Sequence, residues 1–386
     1  MSTLNTPQPA RPRARLRVAI AGAGAAGLAC ALALARAGHE VILIDSGTPG
    51  RGALWASAGM LAAGFETLFE LDPAHPLADD FAALAARGAA LWAQRAGVEA
   101  AQAPGHARPG VLVPLLDETD AARADAALAR AARFGVRVER LNADALCAAE
   151  PALGPTHGGL RFPGDGQIDN RALGPAWLAA FRAAGGEVLG DAPVRAVETV
   201  EGRACALALG DGRSLEADLI VLAAGTAQIH GAPALAQAAP VKGQMIAWGP
   251  PVPVRLTHVV RHVSLYLAAK PDGRVIAGAT SEPGQAGLET DADALAGLSE
   301  RAGRLVPALA GLAPDEGWAG LRPRARDGMP VIGEAAPGLV LAGGGYRNGV
   351  LLAPAIAQAV ETLVRTGSLP EWARAFTPDR AGLRGE

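Results

Sequence analysis

Apolar residues gather first in short unbroken runs. Val18–Ala21 is followed by "GHEVILID", and later come "ADLIVLAAG", from Ala217 to Gly225, and Leu339–Ala342. Runs of that length ending in glycine or an acid suit parallel strands buried on both faces. Between them, apolar positions recur at three and four residues over Phe81–Ala96, Ala121–Arg133 and Ala176–Ala184, which predicts helices. Leu352, Ile356, Val360 and Val364 repeat at fourfold spacing and predict the buried stripe of a last helix. From Val241 to Ala279 the pattern changes. "QMIAWG", "SLYLAA" and "RVIAGAT", with a "PDG" turn before the last, read as antiparallel strands. "PGVLVPL" predicts one more strand, and "GGEVLGDAPVRAVETVEG" a strand pair. The pattern as a whole predicts an α/β chain in which a nucleotide-binding fold interleaves with a β-rich antiparallel domain.

The first apolar run opens into glycines at GxGxxG spacing, Gly22, Gly24 and Gly27. Gly22 permits the sharp turn, Gly24 lets backbone approach a pyrophosphate, and Gly27 lets helix pack closely on strand. The helix N-terminus then offers free N–H groups to phosphate, and Asp45 at the end of the second run is placed for ribose hydroxyls. The fingerprint alone leaves FAD and NAD equally open. It also counts against reading "RPRARLR" and the apolar run after it as a signal peptide or membrane span, so no membrane partner is expected.

Length and charge narrow the class. The 386 residues suffice for two domains, and a formal charge of −3 gives nucleic acid no foothold. Cys30, Cys147 and Cys205 lie far apart without a CxxC, which favours a reducing, cytoplasmic setting. No GxxxxGK[ST], HExxH or GxSxG occurs. His258 and His262 fall in a strand-like stretch, where four residues span about 13 Å, so no metal site is expected.

Several ordered segments then carry a resemblance. The N-terminal βαβ unit, "ASAGMLAAGFE", "APVKGQM", "YLAAKPDGRVIAGAT", "WAGLRPRARDGMPVIG" and "GGGYRNGVLLAP" resemble the D-amino-acid oxidase superfamily, and within it the glycine oxidase family of thiamine biosynthesis. The resemblance runs from about Arg17 to about Phe376. It implies noncovalent FAD, hydride removal from the α-carbon of a small amino-acid substrate, an imine that hydrolyses to an oxo acid, and oxygen as electron acceptor yielding hydrogen peroxide. It implies an FAD-binding domain of residues 15–95, 155–240 and 320–386, a substrate-binding domain of 96–154 and 241–319, and a disordered tail over 1–14. A homo-oligomer is the expected assembly.

The same resemblance assigns roles. Arg322 matches the carboxylate-binding arginine, whose guanidinium donors fit two carboxylate oxygens in parallel. Tyr266 matches a tyrosine that hydrogen-bonds the same carboxylate, and Glu66 a glutamate near the site entrance. Arg347 is expected as a second cation beside the substrate. Around FAD, Ser46, Ala53 and Leu54 follow Asp45, and Ala58, Gly59 and Met60 pass along the flavin ring. Val194 meets the adenine, and Gly225 lies in the turn after its strand. Gly343, Gly344 and Gly345 let the backbone turn beneath the ring, and Tyr346 follows as a further cofactor-binding residue. The helix start at Asn348, Gly349, Val350 and Leu351, with Arg347, stabilises charge on the reduced flavin. This chain departs from many relatives at Leu54, where a serine or threonine touches the pyrophosphate, and at Ala227 (tryptophan), Ser281 (apolar) and Gly345 (histidine); these last three lie toward the substrate or flavin and suit a larger or more polar substrate. Three readings remain open: an oxidase of glycine or a small N-alkylglycine, a related dehydrogenase or D-amino-acid oxidase (including a flavin subunit like that of hydrogen cyanide synthase), and a nucleotide-binding protein without amine oxidation.

Overall fold

The computed structural model describes residues 15–233, 238–263, 265–381 and 383. The expected tail over 1–14 lies outside them. Five parallel strands form one sheet in the order Leu339–Gly343, Leu219–Leu222, Arg17–Ala21, Glu40–Ile44, Glu187–Leu189, and Val331–Ala336 pairs antiparallel at the Leu339 edge. Alternation along these strands explains why both faces are apolar. Val18 and Ile20 point into a core built with helices Ala25–Arg36 and Gly349–Thr366. Ala19 and Ala21 point the other way, against Val197 and Leu207 of a three-stranded antiparallel sheet. The last helix buries Leu352, Ile356, Val360 and Val364 as its spacing predicts.

The second unit is a large sheet running from Glu282–Pro283 through Ala239–Trp248, Val275–Gly278, Leu265–Ala269, Val259–His262, Val111–Pro114 and Gly159–Phe162 to Glu139–Leu141, with Glu316–Arg324 also on Ala239–Trp248. One face packs on helix Ala292–Leu305, and the other turns toward residues 55–69. Two expectations need correction. Gly159–Phe162 belongs to this sheet, although the expected boundary puts it in the nucleotide half. The strand pair after Gly185 is two strands that never meet: Glu187–Leu189 extends the parallel sheet, while Val194–Val200 pairs with Arg203–Leu209. A short intervening loop sends the chain from one sheet to the next, which residue pattern alone does not encode.

Candidate active site

The glycine turn after the first strand is shaped by contact. A Cβ on Gly22, whose φ is 101°, would sit 2.4 Å from the Ala223 carbonyl oxygen, and one on Gly27 would sit 1.8 Å from that of Gly22. Gly24 is different, with nothing within 4 Å of the added carbon. It leaves an open approach to the N-terminus of Ala25–Arg36, which no side chain caps and no first-turn acid neutralises. Asp45 sits beside this turn, accepting from the Ala23 N–H at 2.7 Å and the Gly47 N–H at 3.0 Å. Its backbone also bonds Leu189 and Ala192, which draws the approach to Val194 to the same sheet end. Ser46 and Ala53 are exposed nearby, whereas the Leu54 side chain is 2 % exposed in the helix-side core. Leu54 therefore has only backbone to offer a cofactor.

Gly225 and Gly344, at φ 63° and 67°, adopt backbone that glycine enters without strain. They border a shallow recess, open to solvent, at the carboxyl ends of the parallel strands, and Ala227 helps to line it. Such crevices are where open α/β sheets bind ligands. Tyr346 holds φ 44°, a strained value for a tyrosine, beneath the Arg324 guanidinium. Next to it, a Cβ on Gly345 would lie 2.9 Å from the Gly349 Cα, so a histidine there would force the turn to shift. Gly349–Thr366 also starts without a side-chain cap, its Asn348 side chain reaching instead to Glu66.

The segment 54–60 is fastened through its carbonyls. Asn170 donates to the Leu54 and Trp55 oxygens, the Trp318 indole to Ala56, and Lys270 to Ala58 at 2.6 Å. Gly59 turns at φ 65°, where a Cβ would meet the Ile168 oxygen at 2.3 Å. Lys270 donates also to Ile168 and Gln167, both at 3.0 Å, and burial pulls its pKa down to about 7. None of Asn170, Trp318 or Lys270 stood out in the sequence.

Register in the large sheet assembles the other wall. Arg261 pairs with Tyr266, Tyr266 with Gly278, Gly278 with Met245, and Met245 with Trp318. Cross-strand partners share a face, so these five residues form one row, and Arg322, four residues beyond Trp318, lies on the same side. Clearance comes from glycines. A Cβ on Gly278 would lie 2.9 Å from the Tyr266 hydroxyl, and one on Gly243 would lie 2.2 Å from the Arg322 guanidinium. Among the described residues the Tyr266 hydroxyl has only the Met245 sulfur, at 3.3 Å, to donate to. Burial raises its pKa, against the pull of Arg322 and Arg261. Arg322 is half-buried and donates to the Thr280 and Lys242 carbonyls, at 3.2 and 3.4 Å. Among the described residues it forms no ion pair.

Glu66 and Arg347 meet in one ion-pair network. Glu66 is 5 % exposed, on a π-helical turn Glu66–Glu70, and the Gly64 and Phe65 N–H groups just before that turn are held by Asp165. Its partner is Arg261, itself 4 % exposed, at 2.5 Å. Burial alone would raise the Glu66 pKa, but Arg261, Arg347 and Asn348 outweigh it and lower the value. Arg347 is not a free cation, because it meets Glu70 at 2.8 Å and Glu66 at 3.7 Å. Ser281, expected near substrate, is exposed. Neither His258 nor His262 joins a metal-binding group among the described residues; they meet Glu150 and Asp120. No helix of the described residues is long and apolar enough to cross a membrane.

Comparison with known proteins bears on what this cleft does. Residues 17–363 match the family model of DAO, the FAD dependent oxidoreductases. Glycine oxidase of Geobacillus kaustophilus is 31% identical over 342 residues, 84% of this chain and 86% of that protein. Its crystal structure superposes with a TM-score of 0.82 at 30% identity, covering 95% of this chain and 99% of that one. A bifunctional protein ThiO/ThiG of Synechocystis is 36% identical over 239 residues, 60% of this chain but only 36% of that longer protein. The iminodiacetate oxidase of Chelativorans sp. BNC1 superposes with a TM-score of 0.81 at 28% identity, covering 94% of this chain and all of that one, at 100%.

Proposed function

The chain belongs to the DAO family of FAD-dependent oxidoreductases, and from that premise we propose that it oxidises glycine or a small N-alkylglycine to the imine, with oxygen as acceptor and hydrogen peroxide as product. The observation that carries this reading is the pair of underused polar groups on one face of the large sheet. Among the described residues Arg322 has no acidic partner, and the half-buried Tyr266 beside it has only sulfur as partner for its hydroxyl. A carboxylate between them would gain charge-assisted bonds to both. Gly243 and Gly278 leave the room for these two side chains.

FAD, when bound, supplies the two-electron acceptor for the α-carbon hydride. The open start of Ala25–Arg36 would receive its pyrophosphate and Asp45 its ribose, while Ala58–Met60, held by Lys270, would pass beside its ring. Arg322 and Tyr266 fix the carboxylate and hence the direction in which the α-carbon faces. No acid–base group is required beyond release of an amine proton to water. Relatives named glycine oxidase support this substrate class. The pairing of Arg347 with acids leaves Arg322 as the carboxylate anchor.

The test uses purified protein. It should show the absorption of bound flavin, which glycine or sarcosine bleaches anaerobically and air restores. Oxygen uptake is then compared with dye reduction over glycine, sarcosine, D-alanine and D-proline. Flavin that no amine reduces would sink the proposal. Reduction that dye relieves and oxygen does not would identify a dehydrogenase.

A further inference from the structure

Four charges beside Tyr266 close upon themselves. Glu66 and Glu70, four residues apart on one helical turn, project to the same side. Arg261 reaches them from the sheet, at 2.5 Å from Glu66 and 3.7 Å from Glu70. Arg347 reaches them from the glycine turn, at 2.8 Å from Glu70 and 3.7 Å from Glu66. Two carboxylates and two guanidiniums sum to zero. The cluster abuts the proposed carboxylate site, since the Arg261 guanidinium lies 5.9 Å from the centre of the Tyr266 ring. Arg261 also covers the Phe65 ring at 3.9 Å. Lys242, whose carbonyl accepts from Arg322, has an acid of its own, Glu282, at 3.8 Å.

We propose that this closed cluster determines substrate charge: Glu66 and Glu70 occupy Arg261 and Arg347, so the site accepts amines with one carboxylate and discriminates against those with a second. The inference rests on the reading of Arg322 and Tyr266 as a carboxylate site. A monocarboxylate satisfies Arg322 and leaves the cluster intact. A second carboxylate on the nitrogen substituent arrives beside two acids whose cations are already taken. It must break an existing ion pair or stay unpaired in a partly dry site, and either penalty acts against the dicarboxylate alone.

Removing one acid should relax the selection. Glu70 is the acid to change, because its side chain is 22 % exposed while Glu66 and Arg261 are buried at 6 and 5 %. Loss of Glu66 would strand the buried Arg261, whereas Glu70→Gln chiefly frees the partly exposed Arg347. The holoenzyme and its E70Q variant are assayed with sarcosine and with iminodiacetate, and kcat/KM is compared. In parallel, acetate and malonate, which cannot be oxidised as amines, are titrated by flavin absorbance. The wild type should favour the monocarboxylate of each pair by at least roughly tenfold, and E70Q should shrink both ratios by about that factor. A wild type that uses iminodiacetate as well as sarcosine would overturn the proposal. So would an E70Q variant that moves mono- and dicarboxylates in parallel. If no amine is oxidised but acetate and malonate still separate as stated, the amine-oxidation reading fails and the charge selection stands.

Discussion

At the scale of single residues, the site depends on what is missing around Arg322. Its guanidinium lies over Gly243 because no side chain fills that position, and its two backbone bonds are long. Arg322→Ala should raise KM for the amino acid by about 10- to 150-fold, since a charge-assisted hydrogen bond contributes roughly 1.5–3 kcal/mol. Unchanged KM would remove Arg322 from substrate binding. Gly243→Ala is the more telling variant. The atoms its methyl would strike are the far end of a flexible side chain, so the fold should survive with its melting temperature little changed. The guanidinium must move, however, and KM should rise as in the Arg322 variant. If the alanine at 243 binds substrate normally, the guanidinium does not work from this position.

At the scale of elements, the segment 54–60 shows how an irregular stretch is held. Asn170 is the most economical of its ties, one side-chain amide donating to two successive carbonyls at 3.2 and 2.8 Å. Asn170→Ala leaves both oxygens short of a donor at a buried site, at a cost of about 1–3 kcal/mol. The melting temperature should fall, and flavin should dissociate faster during dialysis. A variant that melts lower yet retains flavin as well as wild type would confine the role of Asn170 to stability. Legibility in the sequence follows the same division. Parallel strands and the last helix were readable because burial on two faces leaves unbroken apolar runs and fourfold spacing. Arg322 and Tyr266 were reachable through motif resemblance. Arg261 was not, because nothing in "VVRHV" says that it will pair with Tyr266 across a hairpin. Glu66 showed as an acid, but its burial depends on that same register. Asn170, Trp318 and Lys270 act on carbonyls more than fifty residues distant, and main-chain acceptors leave no trace in side-chain pattern.

At the scale of the whole molecule, Lys270 joins the two units. It sits where strand Leu265–Ala269 of the large sheet ends, and it donates to Ala58, Gln167 and Ile168 on the cofactor side. Three acceptors match the three donors of an ammonium, yet burial draws its pKa down to about 7, with Asp169 pulling the other way. In the unfolded chain the group returns to its ordinary value of 10.5. Between these values the unfolded chain binds more protons than the folded one, so this residue's contribution to stability increases as pH rises toward 10.5 and is lost as pH falls through 7. Lys270→Met removes the titration while roughly preserving volume, though it leaves the three oxygens without their donor. That loss is present in the variant at every pH and adds a constant offset. The melting temperature of wild type minus that of the variant should therefore climb between pH 7 and pH 10. A difference that stays flat over this range would show that the three oxygens hold the proton against burial, and that Lys270 remains an ammonium joining the two units throughout.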